Sequence, residues 1–270
     1  MTMGTHAWTR TEAPARPGPT AVLRAEWVKF WTVRSTPWSF AALFVLGAGL
    51  TTLICALVAG DLARGEVGEP VGAFLTWGLV LAQVAAVVLG TLTVTSEYGT
   101  GMIRATLTAT PRRGAVLVAK AVVLTSTLFV AGTVTAVAGY LGGNWFLDRE
   151  GIGVAVTDDG VLRALVGSGL YLAGLGLLAA AVGLLVRHTA AALSIVLGLV
   201  FVVGTMVGLL PGAWGEWATK LMPGNAGGRV AAVESFGPLL LDPWTGFAVF
   251  LAEVAVVLAV GALVFTRRDA

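Results

Sequence analysis

A chain of 270 residues that is 57% hydrophobic and only 12% charged holds more apolar surface than a soluble domain of that length buries, since soluble chains are about 25% charged. A formal net charge of +2, spread along the chain, excludes a dedicated nucleic-acid surface. One cysteine, Cys55, excludes an intrachain disulfide.

Residues 1–19, with Pro14, Pro17, Gly18 and Pro19 and no apolar periodicity, are expected to form a mobile arm. The first apolar run begins near Pro37, too late for a cleavable signal peptide. Between them, Leu23, Trp27, Phe30 and Trp31 recur at helical spacing with Arg24, Lys29 and Arg34 nearby, which predicts a helix over 20–35 lying in the membrane interface. The alternative is a plain basic, aromatic anchor ahead of the first span.

Six apolar runs follow, at 37–60, 72–95, 115–141, 162–186, 189–210 and 245–265, each long enough to cross a hydrocarbon core of about 30 Å. The expected fold is therefore an all-α membrane protein, with 20–270 forming a single six-helix domain. Arg187-His188-Thr189 is so short a connection that spans four and five should form an antiparallel hairpin. Gly139, Gly143 and the run GLGLLAAAVGLL at 174–185 suit close helix packing, within the chain or across a dimer seam.

Twelve of the 17 lysines and arginines fall in alternate segments: Arg10, Arg16, Arg24, Lys29, Arg34, then Arg104, Arg112, Arg113, Lys120, then Arg187, then Arg267 and Arg268. The opposite segments hold Arg64, Arg149, Arg163, Lys220 and Arg229 together with seven acidic residues from Asp61 to Asp159. The positive-inside rule then puts both termini in the cytoplasm, at the cell membrane.

Two segments do not fit a plain bundle. Between spans two and three, SEYGTGMIRATLTATPRR (96–113) offers Ser96 as an N-cap, Glu97 near a helix N-terminus, and Ile103 and Leu107 four apart before Pro111. It reads as a short cytoplasmic helix suited to docking a partner, or as a polar turn with membrane-anchoring arginines. Between spans five and six, 211–244 carries Pro211, Trp214, Trp217, Pro223, Pro238, Pro243 and Trp244, which predicts short re-entrant or interfacial helices.

The string SEYGTGMIRATL, followed by ATPRRGAVLVAK, resembles the segment between the second and third helices of small ABC-2 type transporter permeases. The stretch AEWVKFWTVRSTPW at 25–38 is similar to the opening of the same permeases. The resemblance covers nearly the whole chain in layout, but specific residues match only in these two stretches. It implies a membrane-spanning exporter subunit that pairs with a second copy or a related permease, and a coupling helix seated in a cleft of a separate ABC ATPase. Glu97 and Tyr98 would then hold the angle of that helix, and Ile103, Arg104 and Leu107 would form its docking surface.

No G-x-x-x-x-G-K-[ST] motif occurs, so ATP hydrolysis would belong to the partner, and no cofactor is expected. His6 and His188 belong to no zinc spacing or hydrolase set. Glu253, near the middle of the last span, is expensive in hydrocarbon by about 2.5–3.5 kcal/mol on insertion scales, and Gln83 in span two is its expected polar neighbour. The pair is a candidate for the transport path or for helix pairing. Competing readings are an ion-driven secondary transporter and a non-transporting membrane anchor or sensor; drug, lipid, peptide and glycan-linked cargo all remain open.

Overall fold

The computed structural model describes residues 18–102, 106, 108, 113–234 and 241–267; these are helical apart from short connections, with no strand among them. A first helix, α1 (Pro19–Thr32), leads into α2 (Ser35–Ala63), α3 (Val71–Gly99), α4 (Arg113–Arg149), α5 (Val161–Val186) and α6 (Thr189–Val207). Two short helices, α7 (Gly212–Leu221) and α8 (Pro223–Gly228), precede α9 (Pro243–Arg267). Among the described residues, α2 to α6 and α9 are the six helices long and apolar enough to cross a membrane, the architecture of a multi-pass membrane protein. Of the expected N-terminal arm, residues 1–17 lie outside the described residues.

Helix α5 is the centre of the bundle, packed against α3, α4 and α9. Over its most apolar stretch 78% of residues are buried inside the chain, against 11% for α6, so α6 presents its apolar surface outward. Small side chains make the central position possible. At the α3–α5 crossing the backbones approach so closely that a Cβ on Gly90 would overlap the Gly176 carbonyl oxygen. Gly139 and Gly143 of α4 likewise face Thr51 and Cys55 of α2, so this seam is within the chain.

Two irregularities meet between the first two spans. Helix α2 contains a π-helical turn at Val45–Gly49, and α3 tightens into i→i−3 bonded turns over residues 75–78. The Gly78 N–H donates to Thr51 Oγ1 at 3.0 Å, and a side chain at Gly78 would collide with the Gly47 carbonyl. Backbone groups freed by the distortion are thus satisfied across the helix pair, as a membrane interior requires.

The short helices after α6 fold back onto the spans. Ala226 is fully buried, Gly227 lies against the Phe250 and Tyr171 rings, and a Cβ at Gly167 would overlap the Val230 carbonyl. Tyr171 lies ten residues into α5, about 15 Å along its axis at 1.5 Å per residue. Arg163 fastens this segment by donating to the carbonyls of Arg229, Val230 and Val233 at 3.2–3.3 Å.

Candidate functional site

One end of the bundle gathers α1, the α3–α4 connection, the α5–α6 turn and the end of α9. Arg113 at the start of α4 donates to the Phe265 carbonyl near the end of α9 at 3.1 Å. The Arg187 guanidinium, at a turn where this residue takes a left-handed φ of 58°, lies 5.1 Å from the centre of the Tyr98 ring.

Four ionisable side chains meet at this end: Glu26 and the partly exposed Lys29 of α1, Glu97 in the last turn of α3, and Lys120 two turns into α4. Glu26, Glu97 and Lys120 are all more than nine-tenths buried. They form a closed ring of alternating charge. Lys29 Nζ lies 2.7 Å from Glu26 Oε1 and 3.2 Å from Glu97 Oε1, while Lys120 Nζ lies 2.8 Å from Glu26 Oε2 and 2.9 Å from Glu97 Oε1. A bond of 3.1 Å to Thr106 Oγ1 uses the third donor of Lys29.

Alternation makes the ring neutral, which is how two carboxylates and two ammoniums can leave water together. Burial pushes the Glu26 carboxyl up, but the Lys120 and Lys29 ammoniums outweigh it and hold Glu26 below the ordinary carboxylate value. Burial likewise pushes Lys29 down, and its bonds and charge pairing with Glu26 and Glu97 overcome that and hold it above the ordinary lysine value. The ring ties α1 to the end of α3 and the start of α4.

The helix end that carries Glu97 differs from expectation. Ser96 is not an N-cap: it lies within α3, its hydroxyl donating to the Leu92 carbonyl at 2.6 Å, and the helix continues to Gly99. Glu97 therefore stands at a helix C-terminus, where the macrodipole disfavours an anion, and the two lysines supply the compensating charge. The chain turns at Gly101, whose φ of +70° suits glycine, and Met102, Thr106 and Thr108 are helical beyond it. Ile103, Arg104 and Leu107, the expected docking residues, lie outside the described residues.

Of the apolar residues at helical spacing in α1, Phe30 is buried while Leu23, Trp27 and Trp31 are exposed, and the face turned to the bundle carries Val22, Glu26 and Phe30.

Glu253 and Gln83 are not brought together by a hydrogen bond. Tyr171 Oη donates to Gln83 Oε1 at 2.6 Å, and Gln83 Nε2 donates to the Val80 carbonyl at 3.1 Å. Glu253, on α9, is half-buried and its Oε2 has no hydrogen-bond partner among the described residues. Sequence reasoning missed Glu26, Lys29 and Lys120 as site residues. Their signal was a charge within an apolar stretch, at Lys120, and an i,i+3 pair of opposite charges, at Glu26 and Lys29.

Among the described residues no cluster of three or more His, Cys, Asp or Glu side chains is placed to hold a metal ion. Comparison with models of known protein families and with curated protein sequences gives no match.

Proposed function

We propose that this chain is the membrane-spanning subunit of an ATP-driven exporter, and that the ring of Glu26, Lys29, Glu97 and Lys120 transmits movement from a docked ATPase into the spans. One observation carries the proposal. The two stretches that resemble ABC-2 type permeases, 25–38 and 96–120, each supply two of the four ring residues, and the fold brings them within hydrogen-bond distance. A partner that pushes on the connection after Glu97 would therefore move α1 and α4 with it.

The ring end is the cytoplasmic end in this reading, from the excess of lysine and arginine in the segments that meet there. In this reading the coupling element is the connection between α3 and α4, and at its root Tyr98 meets Arg187 and Glu97 the two lysines. The depth at which Ala226 and Gly227 pack supports a re-entrant turn from the opposite side. Because α6 is largely unburied within one chain, it supports pairing with a second permease.

The test is co-purification with an ATPase encoded beside this chain, with hydrolysis measured alone and in the complex. Assembly, and stimulated turnover that Leu107→Asp abolishes while the permease stays inserted, is the expected result; an interface anchor made charged loses a few kcal/mol, on the order of a hot spot. Failure of any such ATPase to associate, or full activity of Leu107→Asp, overturns the assignment.

A further inference from the structure

At the end of the bundle opposite the ring, a cavity of about 360 Å³ opens between α3, α5, α6 and the folded-back segment. Its polar lining includes Thr76, Gln83, Tyr171, Asn225, Arg229 and Glu234, and much of the rest is aliphatic, including Val80, Val200 and Ala232. Its size falls in the range of small-molecule sites, roughly 300–1,000 Å³.

Most of the polar groups are already committed. Tyr171 donates to Gln83, Gln83 donates to the Val80 carbonyl, and Asn225 Nδ2 donates to the Thr219 carbonyl at 2.9 Å. Glu234 Oε2 accepts from the Gly72 N–H at 3.0 Å. Arg163, close by, spends its guanidinium on three carbonyls.

Arg229 is the exception. Its guanidinium makes no hydrogen bond or ion pair among the described residues, and its Nη1 is buried without a partner. A guanidinium cannot shed its proton, so a half-buried one retains an unmet demand for an acceptor. Glu234 lines the same cavity but forms no ion pair with it among the described residues.

We infer that this cavity binds an anionic amphiphile, a carboxylate or phosphate group on an apolar stem, with the anion held by Arg229 and the stem against Val80, Val200 and Ala232. An anion can take both free edges of the guanidinium in the planar, two-bond manner that arginine favours. A cation would add like charge beside Arg229, a neutral molecule would supply an acceptor without the opposing charge, and a bare inorganic anion would leave the aliphatic wall unfilled. This deepens the export reading by assigning the class of molecule met at the far end of the path, and its test needs no ATPase, so either can fail alone.

The full chain in phosphatidylcholine nanodiscs is titrated with octyl phosphate, octylammonium and inorganic phosphate, and binding is followed calorimetrically. Octyl phosphate should bind, and Arg229→Gln should weaken it by about tenfold or more, the loss of one charge-assisted contact. Octylammonium should not bind, and inorganic phosphate should bind far more weakly. Ala232→Leu narrows the cavity without touching the bonds of Arg163 or Glu234, and should weaken octyl phosphate while leaving the melting temperature unchanged. Repeating the titration with phosphatidylglycerol in the disc separates the sources: competition identifies a bilayer lipid as occupant, and its absence a free amphiphile. Equal affinity of wild type, Arg229→Gln and Ala232→Leu for octyl phosphate, or equal binding of octylammonium, would overturn the inference.

Discussion

Glu97 and Lys120, at the facing ends of consecutive spans, meet at 2.9 Å, and the same Glu97 oxygen also accepts from Lys29 of α1. A connection that leaves the bundle at Gly99 is thus anchored by charge on both sides of its root.

Removing one member should cost more than removing a pair. Lys120→Met leaves two buried carboxylates facing one ammonium and is expected to destabilise the chain by about 3–5 kcal/mol. Lys120→Met with Glu97→Gln leaves the Glu26–Lys29 pair intact and should recover much of that loss. Thermal unfolding of the two single variants and the double in one detergent gives the coupling term; simple additivity would show that the ring is not a unit.

The pH response follows from the two shifted groups. Glu26 titrates below its ordinary 4.5 in the folded chain, so its contribution is present above 4.5 and is lost as pH falls through the lower folded value. Lys29 titrates above its ordinary 10.5, so its contribution is complete below 10.5 and is lost as pH rises through the higher folded value. Protease release of α1 should be flat between those limits and rise outside them. Glu26→Gln should remove the acid limb relative to wild type, and an unchanged acid limb would contradict the assignment.

At the α3–α5 crossing, Gly90→Ala should lower stability by about 1–3 kcal/mol, because the added methyl meets a backbone carbonyl at Gly176 that cannot rotate away. Gly114→Ala, where nothing lies within reach of a new Cβ, is the control. Equal melting temperatures for the two variants would mean that the crossing is looser than described.

Orientation is open to a direct assay. With Cys55 replaced by alanine, a cysteine at exposed Asp159 should react with an impermeant thiol reagent in intact cells, and one at exposed Arg267 should react only after lysis. The reverse pattern would place the ring outside the cell and remove the basis for an ATPase at that end.

The six spans were legible in the sequence because the length of an apolar run is a local property, and the observed helices fall within a few residues of the runs in most cases. Two ends lie beyond the apolar runs: α3 passes Ser96 and Glu97 because a hydroxyl can bond back to its own helix and a carboxylate can be paired, and α4 passes Gly142 and Gly143 to reach Arg149. The π-helical turn in α2 and the tightened turns of α3 had no such signature, since each is relieved by the other, through Thr51 and Gly78.

Composition and periodicity by themselves determined that the chain is helical, that it has six apolar segments, and which segments share the basic residues. Only the tertiary structure decided what Glu97 touches, that Gln83 answers to Tyr171, and that Arg229 Nη1 is buried beside a cavity without a partner among the described residues. The reason is physical: an apolar run declares its burial wherever it sits, whereas a buried charge is defined by its partner, and here Glu26 and Lys120 are 94 residues apart.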